Sequence, residues 1–300
     1  MELEGRIVKI ISNFCYVDTE KGLVPCKARG VFKKKALTPL VGDRVSLSWD
    51  GGEYGIIQAI HPRSNQLFRP PVANMDQVCL VFSVAEPPLS LVLLDRFLVH
   101  VEAHRFPALL CFSKMDLLPL QESETAEQFY QTCEIYKKIG YPVIPISVRT
   151  GEGLDQLIER LQGKTTVLAG QSGVGKSSLL NALIPGSNME TAEISKKLGR
   201  GRHTTRHVEL LSLPQGGYLV DTPGFSQLDF QGISSGKLAD AFPEFAAYSM
   251  HCRFRSCLHW KEPDCGVREA VAEGAIAPTR YEHYLHFLQD RLAEEKHKKL

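Results

Sequence analysis

Up to Asn65 the apolar residues fall in short alternating runs, broken by Gly, Asp, Asn and Pro. Arg6–Ile11, Phe14–Val17, Leu23–Cys26, Arg44–Trp49 and Gly55–Ile60 read as strands, because period-two alternation bounded by turn residues marks a half-buried strand. Five short strands in so few residues suggest a small barrel of the OB type, with an SH3-like barrel or a sandwich as alternatives. Arg69-Pro70-Pro71 reads as a linker. From Asp76 strands alternate with helices. Gln77–Val84 is a continuous apolar run, the pattern of a strand covered on both faces. Leu94–Ala103 carries Leu94, Phe97, Leu98 and Val101 on one face. Ala108–Phe112 is a strand, Ser123–Ile139 a helix, Pro142–Ile146 a strand and Gly153–Leu161 a helix. Thr165–Ala169, Ser177–Leu183, Val208–Ser212 and Tyr218–Val220 complete a mostly parallel α/β sheet. Beyond Phe230 the alternation stops. A Cys/His-rich stretch follows, and Pro278 opens a last helix with Tyr281, Tyr284, Leu285, Leu288 and Leu292 on one stripe.

The expected organisation is therefore multi-domain. A β-barrel spans 1–68, an α/β domain 69–230 and a small metal-binding domain with helices 231–300. Hydrophobic residues are 43% of the 300-residue chain and charged residues 23%, which argues against disorder. No apolar run is long enough for a membrane helix, and the acidic N-terminus does not resemble a secretory signal. A cytoplasmic, monomeric protein with no membrane partner is the expectation. Net charge is only +1, yet residues 1–71 hold eleven Lys/Arg against seven Asp/Glu, and residues 195–207 hold five Lys/Arg and no acid. These two segments, including Lys27, Arg29 and Lys33-Lys34-Lys35 of the barrel, favour a polyanionic partner such as RNA.

The chemistry starts at Gly170-Gln171-Ser172-Gly173-Val174-Gly175-Lys176-Ser177, between a predicted strand and a predicted helix. Its glycines let backbone N–H groups wrap phosphates, and the helix N-terminus adds positive potential. Lys176 reaches the β- and γ-phosphates, and the Ser177 hydroxyl ligates Mg²⁺. Ser178, next in the helix, joins the nucleotide-binding set. Asp221-Thr222-Pro223-Gly224 follows a strand and matches the second metal-side motif of GTPases. There Asp221 holds Mg²⁺ through water, and the Gly224 N–H meets the γ-phosphate.

Ser113-Lys114-Met115-Asp116, at a strand end, resembles the guanine-reading motif Asn/Thr-Lys-x-Asp. A carboxylate accepts from the guanine N1–H and exocyclic amine, a donor pair adenine lacks. Ser147-Val148 resembles the accessory loop that faces the guanine oxygen. Ser113 and Val148 depart from the commonest residues there. Between the phosphate-loop helix and the next strand lies Gly201-Arg202-His203-Thr204-Thr205, where a first switch belongs. Thr204 or Thr205 closes over Mg²⁺ and the γ-phosphate. Phe225 stands where many GTPases keep a water-orienting glutamine, so turnover is expected to be slow unaided. His203 is the candidate helper. The base motifs precede the phosphate loop, the reverse of the ordinary order. Permutation needs only a short link between the old last helix and old first strand, and Gln162-Gly163-Lys164 supplies one.

Cys252, Cys257, His259 and Cys265 offer three thiolates and an imidazole, the ligand set of a closed structural zinc site. Little apolar content is expected nearby, so metal would supply folding energy. Cys15, Cys26, Cys79, Cys111 and Cys133 are scattered and read as buried thiols.

Together these motifs resemble the RsgA/YjeQ family of small-subunit-dependent GTPases over essentially the whole chain. Cys-x₄-Cys-x-His-x₅-Cys, the phosphate loop, the hydrophobic residue after D-T-P-G and Gly-x-His-Thr-Thr carry the resemblance. It implies an OB-fold, a circularly permuted GTPase domain and a zinc domain. It also implies a GTP/GDP-cycling, late assembly factor of the small (30S) ribosomal subunit that contacts rRNA and is stimulated by the subunit. The competing classes are a P-loop ATPase or kinase and a passive RNA-binding protein. Asp116 weighs against the first; intact Lys176, Ser177 and Asp221 weigh against the second.

Overall fold

The computed structural model describes residues 1–30, 32, 37–68, 71–187, 208–221 and 233–297. Within them the chain forms two compact units, Met1–Cys79 with Gly151–Ser226, and Leu80–Thr150 with Gln227–Leu300.

The first unit opens with a closed barrel of β1 (Glu2–Ile11), β2 (Phe14–Thr19), β3 (Gly22–Ala28), β4 (Arg44–Ser48) and β5 (Gly55–Ile60). The strands run β1-β2-β3-β5-β4, β4 closes onto β1, and β3 and β5 are parallel. That is the five-stranded Greek-key barrel expected for an OB fold. Alternation puts Val17, Val24, Val45, Leu47 and Ile57 inside, each at most 1% exposed. Gly5 faces the neighbouring strand so closely that a Cβ would stand 2.5 Å from the Asp18 carbonyl oxygen. A buried charge just before β4 is paired. Asp43 is fully buried and accepts from Arg63 Nε and Nη2 at 2.7 and 2.8 Å.

The predicted linker is instead flanked by structure. β6 (Gln66–Phe68) and β7 (Pro71–Ala73) form a two-stranded antiparallel pair that includes Pro71. Proline fits there because an edge strand need not donate.

β8 (Gln77–Ser83) is buried at every position, as its apolar run predicts. In the first unit its start lies beside β11 (Thr165–Ala169), where Asp76 N donates to Thr165 O and Gln77 Nε2 to Thr166 Oγ1. β11 pairs parallel with β13 (Tyr218–Asp221), and β13 pairs antiparallel with β12 (Leu210–Ser212). The sheet is thus parallel except at this edge, where the short turn Leu213–Gly217 leaves room for a hairpin but not for a crossover. The barrel meets these strands through Tyr218, whose hydroxyl donates to Asp18 Oδ2 at 2.7 Å. The Arg6 guanidinium lies 5.1 Å over the Tyr218 ring and bonds Thr165 Oγ1.

In the second unit the end of β8 lies beside β9 (Ala108–Ser113), where Val84 N donates to Ser113 O. β9 pairs parallel with β10 (Val143–Pro145). The helices here are α1 (Leu91–Ala103) and α2 (Ser123–Ile139). α1 is N-capped by Ser90, and α2 ends at left-handed Gly140, with φ 112°. Back in the first unit, α3 (Leu154–Leu161) leads to β11 through Gln162-Gly163-Lys164, the link that permutation requires. α4 (Lys176–Leu183) follows β11.

The C-terminal region departs from expectation. Three 3₁₀ turns, α5 (Ala246–Ser249), α6 (Gly266–Ala272) and α7 (Pro278–His297) enclose a core of Phe242, Phe245, Val267, Tyr284, Phe287 and Leu288, with Val99 from α1. Apolar content is therefore substantial. It was hidden because Phe242 and Phe245 flank Pro243 in turns without periodicity. The stripe on α7 is also rotated. Arg280, Tyr284, Phe287, Leu288 and Arg291 are buried, whereas Tyr281, Leu285 and Leu292 are half-buried.

Arg280 is buried because it is paired. It donates to Asp95 of α1 at 2.5 Å and grips Glu244 with two bonds of 2.7 and 3.1 Å. Asp95, itself fully buried, also accepts from Tyr136 of α2 at 2.6 Å and contacts His283 Nδ1 at 2.5 Å. The five scattered cysteines are all buried, and burial raises the thiols of Cys15, Cys26 and Cys133 to about 11.

Candidate nucleotide site and metal cluster

The phosphate side belongs to the first unit. β11 ends in buried Ala169 and Gly170, and the loop then turns through positive φ at Gly170 (146°), Gly173 (86°) and Gly175 (97°). Side chains rarely adopt such angles, so glycine at these places is a conformational requirement. Val174 is fully buried and pins the loop, while Leu179 and Leu180 anchor α4. Gly175 caps the helix, which leaves the first-turn N–H groups facing the loop. Lys176 Nζ spans the loop, donating to Gly170 O at 2.7 Å and Gln171 O at 2.8 Å. Gln171, Ser172, Ser177 and Ser178 stay at least partly accessible. Leu168 pairs with Asp221, so the strand end carrying the phosphate loop and the one carrying the aspartate lie side by side. Ligands of α/β sheets bind at such carboxyl ends. His203, Thr204, Thr205, Gly224 and Phe225 lie outside the described residues, as does Lys33-Lys34-Lys35.

The base side belongs to the second unit. Parallel pairing of β9 and β10 sets Phe112 opposite Pro145, so Ser113–Asp116 and Ser147–Val148 emerge together. Lys114 turns the chain in left-handed conformation, φ 61°, into the 3₁₀ turn Met115–Leu120. Ser113 is nearly buried, and its hydroxyl donates to Phe82 O at 3.2 Å, bracing the loop against β8. Ser147 Oγ donates to Asp116 Oδ1 at 2.7 Å and accepts from Thr150 N at 3.2 Å. One carboxylate oxygen is thereby fixed, and the group is oriented. Val148 is half-buried next to it. Sequence reasoning missed Arg149, whose guanidinium lies 3.8 Å from Asp116 Oδ2 while its side chain is 81% exposed. Its position two residues after Ser147 was the available signal.

The four predicted metal ligands converge. The Sγ atoms of Cys252, Cys257 and Cys265 and a ring nitrogen of His259 all lie within 4.8 Å of one another. Cys252 and Cys265 Sγ are 3.8 Å apart, and His259 Nδ1 is 3.5 and 3.4 Å from them. Tetrahedral bonds of about 2.3 Å to sulfur and 2.0–2.1 Å to nitrogen place ligand atoms about 3.5–3.8 Å apart, so this set fits zinc. The other ring nitrogen, Nε2, faces Ser249 Oγ at 3.4 Å, and Ser249 donates onward to Phe245 O at 2.9 Å. That chain favours the proton on Nε2 and leaves Nδ1 as a ligand. Burial raises the Cys257 thiol, and metal binding there would require its deprotonation.

Base-reading loop, phosphate loop and metal-side aspartate, met in that order along the chain, define a circularly permuted GTPase. The RsgA GTPase family model matches residues 60–231, and the RsgA N-terminal domain model matches residues 4–57. The chain belongs to the RsgA GTPase family. It is 52% identical to the small ribosomal subunit biogenesis GTPase RsgA of Geobacillus thermodenitrificans, over 96% of this chain and 97% of that protein. The crystal structure of YjeQ from Thermotoga maritima matches with TM-score 0.85 and 38% identity, over 97% of this chain and 99% of that one. YloQ, described as a circularly permuted GTPase, matches with TM-score 0.84 and 40% identity, over 98% and 96%. No helix among the described residues is long and apolar enough to cross a membrane.

Proposed function

We propose that this GTPase acts late in maturation of the small ribosomal subunit, hydrolysing GTP when docked on the subunit and its rRNA. The observation that carries this reading is similarity over nearly the full length to relatives named small ribosomal subunit biogenesis GTPases. The basic barrel and the five cations of residues 195–207 support an RNA partner. The protein works as a cytoplasmic monomer.

In this reading Gly170–Ser178 bind the phosphates, with Lys176 on the β- and γ-phosphates. Ser177, Thr205 and, through water, Asp221 hold Mg²⁺, which when bound neutralises charge developing on the phosphates. Thr204 and Gly224 complete the γ-phosphate shell. Ser113, Lys114, Asp116, Ser147 and Val148 read guanine. His203 orients the attacking water once rRNA is bound, in place of the glutamine that Phe225 displaces. Cys252, Cys257, His259 and Cys265 hold one structural Zn²⁺.

The test is turnover of GTP and ATP with and without purified small subunits. GTP hydrolysis should rise steeply with the subunit and fall with added salt, while ATP stays near background. His203→Ala should lower stimulated turnover by far more than basal turnover, with GTP affinity little changed. Equal rates with and without subunits would end the ribosomal reading.

A further inference from the structure

The loop carrying His259 is tied on both sides of its backbone. Glu262 takes its N–H groups: Leu258 N donates to Oε1 at 2.9 Å, and Trp260 N and Lys261 N donate to Oε2 at 3.0 and 3.1 Å. α7 takes its carbonyls: Tyr284 Oη donates to Leu258 O and Tyr281 Oη to His259 O, each at 2.6 Å. Held between these anchors, His259 adopts φ 53°, a left-handed angle that non-glycine residues avoid. In this conformation its Nδ1 meets the thiols of Cys252 and Cys265, and the residue is only 4% exposed. The segment has no helix or strand ladder to satisfy its backbone, so side chains must do so. Among the described residues, Glu262 is the carboxylate that reaches three of its donors.

We propose that Glu262 is the positioning residue of the Cys/His centre, setting the loop so that the His259 imidazole is presented to the three thiolates before metal arrives. Glu262 does not itself ligate. Without its carboxylate, three N–H groups lose their acceptor and His259 relaxes toward ordinary negative φ. The imidazole then turns from the thiolates, and a position opens to water or a chelator. Outer partners of metal ligands typically change affinity 10- to 100-fold. The inference rests on the zinc reading above.

The experiment uses the full chain. Zinc is first counted in the purified wild type. Its transfer to a chromogenic chelator is then timed, well below the unfolding temperature, for wild type, Glu262→Gln and Glu262→Ala. Glu269→Gln, an exposed acid of α6, is the control. Glu262→Gln keeps shape and volume but replaces one acceptor oxygen with a donor. Release should be about ten-fold faster or more in both Glu262 variants and unchanged in the control, with helical signal and GTP affinity kept. The cobalt(II)-substituted variants should show altered d–d bands, as water replaces nitrogen beside three sulfurs. A folded Glu262→Gln protein with wild-type release and a wild-type cobalt spectrum overturns the proposal. Should Glu262→Ala fail to fold, Glu262→Gln alone decides. Wild type that contains no zinc and binds no cobalt overturns the zinc reading and this inference with it.

Discussion

The barrel and the C-terminal module solve the same problem by opposite means. In the barrel, strand closure satisfies the backbone, so the interior can be apolar: Ile7, Val17, Val45, Leu47 and Ile57 are fully buried. The C-terminal module has no strand among its described residues. Its turns leave backbone groups that only side chains reach, and its interior is accordingly polar in places. Arg280, His259 and Cys265 are buried there beside Phe242 and Tyr284. The barrel relies on a hydrogen-bond ladder plus burial, whereas the module adds a few ionic contacts and a Cys/His cluster to its aromatic core. Damage should therefore spread evenly in the first and fall at single points in the second.

Metal removal is the harshest test of that contrast. Structural zinc contributes on the order of 10 kcal/mol in small zinc modules. Chelation, or Cys257→Ala, should abolish amide-exchange protection in α6 and the start of α7 while β1–β5 keep theirs. Loss of protection in both modules would show that the barrel depends on the metal too. GTP binding should survive largely intact.

Arg280→Ala comes next. It leaves Asp95 and Glu244 buried without their cation, a loss of about 3–5 kcal/mol. Urea unfolding should show this loss, and amide exchange should place it in α1, α7 and the Phe242–Phe245 turns. A shift below about 1 kcal/mol would mean that His283 and Tyr136 satisfy Asp95 alone.

The smallest effect sharpens the other side of the comparison. Ile57→Val removes one methylene from the closed barrel and should cost about 1 kcal/mol. Exchange in the C-terminal module should not respond. A larger, module-wide effect would mean that the barrel core tolerates deletion no better than an ionic contact does.

How much of this was legible depends on how local each signal is. The strands of the barrel, β8, β11 and α2 follow from periodicity, and their observed limits agree closely with the runs Gln77–Val84, Thr165–Ala169 and Ser123–Ile139. The phosphate loop was legible because its function lies in consecutive residues whose backbone must take positive φ. The Cys/His cluster was legible for the same reason, since soft ligand types are few and closely spaced. The hairpin at Pro71 was not legible, because Pro reads as a break unless an edge strand is known to lie there. Neither was the aromatic core around Phe242, which has no period.

By itself, then, the sequence determined the motif order and marked Asp116, the Lys176 loop and the Cys252, Cys257, His259 and Cys265 set as candidates, because each is a local pattern of residue types. Only the tertiary structure decided which distant residues complete them. Asp95 finds Arg280, Ser147 finds Asp116, and Tyr281 and Tyr284 find the carbonyls of the His259 loop. The physical reason is that a lone Arg, Ser or Tyr is chemically unremarkable until packing excludes water from it. Burial then makes a partner obligatory, and the fold alone sets who that partner is.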